Sequence, residues 1–362
     1  MRTLYLHIGT PKTGTSSLQS FLHINRAVLS SAGYLIPRSL GFPNHIGLAV
    51  ASHGRFRNDI LCDLLGIQSE QEWHIFTENE WDKFHKESGK RKEKHIILTS
   101  EVFYSSLDGR EDIARFRDKL GGTSWDEVKV VVYLREQAAF VASHHSTDVN
   151  QWGSLHEKPP GPDDPYFSRV CDYKRSIQDW SSVFGEQNMI VRLFGANRGA
   201  RFSVVDDFVS EVLDMDPSQF VPVPTKNQSI SAHGLEVIRR VNALLPFKVN
   251  GMMNPLRKGL GRYIRKHFPG CPYAMDEELR KAYQKAFADG NEWVRQMYFP
   301  ERKTLFEEGC EHDASKGAEW FIPDLERQAD QVVAYLRRKN FVRDKRIRFK
   351  LRLKQWMAVL QG

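Results

Sequence analysis

The sequence predicts an α/β fold in three layers, with a central, mostly parallel sheet and a helical C-terminal part. Near-continuous apolar runs, His95–Thr99 and Val128–Leu134, carry the pattern of strands buried on both faces. Strand-like runs alternate with helical periodicity, the order that builds parallel sheets through right-handed crossovers. From about Ser231 onward the strand signal stops and helical periodicity takes over.

Taken in order, Thr3-Leu4-Tyr5-Leu6-His7-Ile8 predicts the first strand, a glycine-containing loop follows, and Ser17–Leu22 begins a helix. Gly33–Pro37 predicts a second short strand. Trp73 and Trp81 flank the acidic run Glu78-Asn79-Glu80, which reads as a surface helix. The buried strands 95–99 and 128–134 come next, then helices at about Gln137–Asp148 and Tyr173–Phe184, and the strand Met189–Leu193. Residues 150–165, NQWGSLHEKPPGPDDP, have the composition of a surface excursion. Helices over Leu235–Leu245, Asp276–Ala288 and Pro323–Arg338 complete the body, read as one domain over 1–336.

Residues 337–362 form a basic amphipathic tail, with ten Lys/Arg against the single acid Asp344 between Arg337 and Lys354. Without that tail the chain, whose net charge is +7, would be near neutral. It suits a solvated terminal helix or one lying on an anionic membrane surface. The chain is 41% hydrophobic with 22 Phe, 11 Tyr and 8 Trp, which excludes global disorder. It has no apolar run of about 18 residues, so no spanning helix is expected. Met1–Thr10 already read as a strand, so a cleaved leader is not expected either. Cys62, Cys171, Cys271 and Cys310 are scattered singly, as unpaired thiols of a reducing cytoplasm.

The most informative stretch is Gly9-Thr10-Pro11-Lys12-Thr13-Gly14-Thr15-Ser16, between a buried strand and a helix N-terminus. Such a loop aims successive backbone N–H groups at one point, where the helix dipole adds positive charge, and suits a phosphate or sulfate. A P-loop NTPase places Lys beside the second glycine and then a Ser/Thr for magnesium. Here Thr15 follows Gly14 and the lysine lies inside the loop, at Lys12. The pattern is P-loop-like, but it favours an anion cradle that needs no metal.

LHIGTPKTGTSSLQ resembles the 5′-phosphosulfate loop of sulfotransferases that use 3′-phosphoadenosine 5′-phosphosulfate (PAPS). Val130–Arg135, a strand ending in Arg, with Ser143 eight residues on, is similar to that family's 3′-phosphate element. Leu98-Thr99-Ser100-Glu101, Ile190–Phe194 and Asn227-Gln228-Ser229 resemble its bacterial, carbohydrate-sulfating branch. Two departures stand out. Glu136 follows the strand-end arginine, and the GxxGxxK element of the cytosolic enzymes is missing.

The resemblance implies a P-loop-like fold, PAPS as sulfuryl donor, 3′,5′-ADP (PAP) as product and no metal. It casts Pro11, Lys12, Thr13, Gly14, Thr15 and Ser16 on the 5′ side of the donor. Arg135 and Ser143 would bind the 3′-phosphate, with Asn227 and Ser229 in place of the missing element. Lys12 would neutralise the leaving phosphate, and His45 or Glu101 would act as base, with His45 slightly preferred. A carbohydrate hydroxyl or amine is the expected acceptor, with no specific nucleic acid as partner. The competing readings are a P-loop nucleotide kinase and a non-enzymatic binder of anionic membrane or nucleic acid through the tail. His7 reads as a core histidine, His144 and His145 as a solvated helix face, and Arg192 as a salt bridge more than a ligand.

Overall fold

The computed structural model describes residues 2–41, 44–90, 92–121, 125–195, 202–223, 229–249, 252–307 and 324–341. Five strands build the main sheet: β1 (Thr3–Gly9), β2 (Tyr34–Leu35), β3 (His95–Thr99), β4 (Glu127–Leu134) and β5 (Met189–Leu193). Their spatial order is β2-β3-β1-β4-β5, and every neighbouring pair runs parallel. The α/β class and the parallel sheet are as the sequence predicts. β1 lies at the centre, with Leu6 opposite Leu98 on one side and Val130 on the other.

Both faces of this sheet are covered, which is why its central strands lack polar alternation. On one face Ile97, Val131 and Tyr133 pack with Leu18, Phe21 and Leu22 of helix α1 (Thr15–Ile24) and with Phe208 and Val209. The alternate residues Leu4, Leu6, Ile96, Leu98 and Val130 point the other way and are equally buried. Buried aromatic rings pack beside one another as well, Phe116 in contact with both Phe103 and Trp180.

Helix α2 (Glu70–Gly89) is the surface helix its acidic run suggests, with Glu78 and Asn79 exposed and Glu80 turned inward. Trp73, Trp81 and Phe84 form its buried stripe, and the indoles of Trp73 and Trp81 donate to the carbonyls of Val50 and Ala51. Neither Trp is available to stack on a sugar. The 150–165 stretch is the surface excursion its composition predicts: residues 153–164 carry no helix or strand, and Leu155, His156, Glu157 and Lys158 are exposed. Helix α3 (Gln137–Trp152) runs into it, and Tyr283 Oη bridges the carbonyls of Pro160 and Gly161 at 2.9 and 3.0 Å.

The chain gathers into two compact units. The first comprises Met1–Phe140, Pro162–Lys226 and Gln284–Glu308, and the second Val141–Gly161, Asn227–Tyr283 and Gly309–Gly362. The first holds the sheet. The second is mainly helical, as expected from about Ser231 onward, with helices α4 (Ala232–Leu244) and α5 (Leu260–His267) and the helical residues 325–341. Val237, Ile238, Val241, Ile264, Val332 and Leu336 are among the residues of its core. Cys62, Cys171 and Cys271 are free thiols, and Cys310 lies outside the described residues. No helix of the described residues is long and apolar enough to cross a membrane.

Candidate active site

The loop of interest lies in the first unit, at the C-terminal end of the central strand, where open α/β sheets collect their ligands. Gly9 leaves β1 at φ 110. A Cβ there would sit 3.1 Å from the Glu101 Cα, so the loop passes hard against the end of β3. Thr10 anchors the loop twice, its N–H and its hydroxyl both donating to the Tyr133 carbonyl of β4 at 3.0 Å. The Thr13 hydroxyl closes the turn on the Thr10 carbonyl at 2.6 Å, and Thr13 is only 1% exposed. Its role is to shape the loop.

Lys12 takes a left-handed backbone, φ 65, where a non-glycine residue is strained by roughly 1–2 kcal/mol. Gly14, also left-handed, is the N-cap of α1 and offers no side-chain cap. No acidic residue lies in the first turn of α1. The Ser17 N–H turns to the Gly14 carbonyl at 2.9 Å, whereas the N–H groups of Thr15 and Ser16 precede any helical carbonyl partner, and the dipole there favours an anion. Pro11 and Thr15 are buried, while Ser16 is exposed at the mouth of this turn.

Arg135, the residue after β4, reaches this loop. Its Nη1 donates to the Lys12 carbonyl at 3.1 Å, and its guanidinium lies 5.5 Å from the Phe194 ring centroid. The Arg135 carbonyl accepts from the Tyr173 hydroxyl at 2.5 Å. Glu136 turns to a different task, its carboxylate capping α3 by accepting from the Ala139 N–H at 2.6 Å.

Glu101 begins the short helix Glu101–Ser106 and is partly exposed. Its Oε2 accepts from Gln19 Nε2 at 2.9 Å and from Asn44 Nδ2 at 3.3 Å. Among the described residues, no hydrogen bond reaches Oε1. Sequence reasoning missed Gln19 and Asn44, which aim this carboxylate. It also missed Phe194 and Tyr173, which hold Arg135. The asparagine sits beside the histidine that was preferred.

That histidine corrects the expectation. His45 has no exposed surface, and both ring nitrogens are engaged. Its Nδ1 accepts from the Thr99 N–H at 2.9 Å, and its Nε2 donates to the Pro37 carbonyl at 3.1 Å. Burial pushes its pKa down to about 4. Such a ring is neutral, fixed in one tautomer and sealed from substrate, so it is a bracket for the end of β3 and not a base.

The other candidates separate. Ser143, on α3, belongs to the second unit, where its carbonyl accepts from the Thr147 hydroxyl at 3.1 Å. Ser229 is an exposed residue of the second unit, and Asn227 lies outside the described residues. Arg192 is a structural partner, with Nη2 2.5 Å from Asp207, whose Oδ1 also accepts from Tyr133 Oη at 2.7 Å. His7 is a core residue, bonded to the Thr99 hydroxyl at 2.8 Å. His144 pairs with Asp148 at 2.9 Å, whereas His145 is buried and not on a solvated face. A cavity of about 350 Å³ beside β2, lined partly by Arg26, Arg38 and Glu93, includes none of the loop residues.

No family model matches this sequence, and no curated protein matches it either. Among solved structures, the chain is similar to a sulfotransferase from Alicyclobacillus acidocaldarius, at 17% identity and a TM-score of 0.37. The match covers 67% of this chain and 94% of that one.

Proposed function

We propose that this protein is a sulfotransferase that moves a sulfuryl group from PAPS to a carbohydrate hydroxyl or amine. One observation carries the reading: the Arg135 guanidinium is bonded to the backbone of Lys12. The strand-end arginine and the lysine-bearing loop are therefore parts of one cationic assembly at an uncapped helix N-terminus. That donor set fits an anion of the phosphate and sulfate class, with Lys12 as a point charge and Arg135 as a planar fork.

PAPS brings the sulfuryl group as substrate, and this chain's residues position and neutralise. Lys12 and the amides of Thr13 to Ser16 hold the 5′-phosphate on which charge develops as the sulfur–oxygen bond breaks. Arg135 holds the 3′-phosphate. Glu101, aimed by Gln19 and Asn44, accepts the proton of the acceptor hydroxyl while its oxygen bonds to sulfur. Positive charge for the leaving phosphate comes from Lys12, without a required metal.

Calorimetry with PAP in the presence of EDTA tests this. Tight binding is expected, lost in Lys12→Ala and Arg135→Ala. Binding of ATP that requires magnesium, with none of PAP, would instead identify a nucleotide kinase. A screen of glycan acceptors with labelled sulfate then identifies the carbohydrate.

A further inference from the structure

We infer that the second unit docks on an anionic lipid surface through a β-hairpin that presents Val249, Met252 and Met253 within a basic face. The inference concerns this unit alone and holds whether or not PAPS is the donor. Between Val237 and Met275 the sequence carries eight Lys/Arg and no Asp/Glu. In the middle of this stretch two short strands, β6 (Lys248–Val249) and β7 (Met252–Met253), pair antiparallel, Lys248 opposite Met253 and Val249 opposite Met252. Met253 is 65% exposed, Val249 46% and Met252 41%, and Leu244 and Trp152 of the same unit are exposed too.

This exposure is not that of a frayed end. Buried Asn254 ties the base of the hairpin, its N–H donating to the Phe247 carbonyl at 2.8 Å and its side-chain amide to the Pro246 carbonyl at 2.9 Å. Arg257 adds bonds to the Leu245 carbonyl and to Asn242 Oδ1, both at 2.7 Å. The two strands are thus held at their base, with Val249 and Met252 paired on one face and Met253 on the other, all three exposed. Such side chains gain from an acyl region and gain little from a phosphodiester backbone.

The surroundings supply the second half of the argument. Lys248, Lys258, Arg262 and Lys266 are exposed. The Asn340 side chain donates to the carbonyls of Leu256 and Lys258 at 2.9 and 3.2 Å. The start of the basic tail is therefore fixed beside these cations, and the sequence from 342 to 354 adds seven more Lys/Arg against Asp344. An apolar tip joined to a polybasic surface is the two-signal arrangement that holds a protein on anionic lipid. Its single sign of charge opposes pairing with a second copy of the same face.

The test is co-sedimentation of the full chain with phosphatidylcholine vesicles, with and without phosphatidylglycerol. Binding is expected only with phosphatidylglycerol, weakened by salt, and reduced about tenfold or more in Met252→Glu/Met253→Glu, whose tail is intact. An unchanged melting temperature verifies that this surface variant is folded, and Lys258→Glu/Arg262→Glu is expected to weaken binding as well. Undiminished vesicle binding by the folded Met252→Glu/Met253→Glu variant would overturn the inference. So would retention by single-stranded nucleic acid with no vesicle binding, or a hairpin variant whose only effect is to split a dimer.

Discussion

Arg135 donates from Nη1 to the carbonyl of Lys12 at 3.1 Å, across 123 residues of chain. The bond joins the end of β4 to the loop after β1, and it holds the guanidinium at the uncapped start of α1. Lys12 itself sits in a left-handed backbone that the surrounding loop bonds enforce. The Arg135 cation is thus tied to the loop that carries Lys12, just ahead of a helix whose dipole favours negative charge.

This arrangement predicts different losses from the two residues. Lys12→Ala removes a charge that acts most on the leaving phosphate, so kcat should fall by about 100- to 1,000-fold. Arg135→Ala should act mainly on donor affinity, weakening PAP by about 10- to 100-fold, with Arg135→Lys restoring little of it. Steady-state kinetics and calorimetry on both variants read the two effects. Equal, small changes in both would sink the assignment.

The carboxylate and the imidazole near the end of β3 should part company. Glu101→Gln is expected to lower kcat by about 100- to 10,000-fold while PAP binding is retained. Gln19→Ala, which removes one of the donors to Oε2, should cause a smaller loss of kcat with the same PAP affinity. Wild-type turnover in Glu101→Gln would remove this residue from the proton transfer.

Stability should fall on the acid side of neutrality. Burial holds His7 at about 3 and His45 at about 4, below the ordinary 6.5. The unfolded chain therefore takes up protons that the folded chain refuses. The contribution of these neutral rings is full above about pH 6.5 and is lost as pH falls toward their folded values, by up to about 1.4 kcal/mol per pH unit for each ring. Denaturant titrations from pH 7 to pH 5 should show this slope, and His45→Gln should make it shallower. A slope that His45→Gln leaves untouched would place His45 elsewhere than in the sealed bracket described.

Gly14→Ala should destabilise the protein by about 2–4 kcal/mol, from overpacking and a left-handed backbone together. A Cβ at Gly14 would approach Val204 Cγ1 to 2.8 Å, and φ there is 78. Thermal melting measures the loss. Val204→Ala in the same chain should return the part due to the clash and leave the part due to φ.

Much of this was legible because it is local. Apolar runs short enough for strands, without polar alternation, marked β1, β3, β4 and β5, and the spacing of Gly9, Lys12 and Gly14 marked the anion loop. Glu101 stood out because it follows a strand end. What aims it did not, since Gln19 is 82 residues away in the chain and Asn44 is 57. The acidic run of α2 marked a surface helix, while the stripe of Trp73, Trp81 and Phe84 that anchors it shows only in the packing.

By itself, the order of residues determined the fold class, the strand–loop–helix turn at Gly9 to Ser16 and the placement of excess positive charge in the C-terminal third. These follow from periodicity, backbone freedom and formal charge, which neighbours along the chain suffice to set. Tertiary structure alone decided that His45 is sealed and neutral, that Arg192 is committed to Asp207, and that Met252 and Met253 are exposed. Those outcomes depend on desolvation and on partners brought in from distant segments, and desolvation is a property of the packed whole that no short stretch of sequence contains.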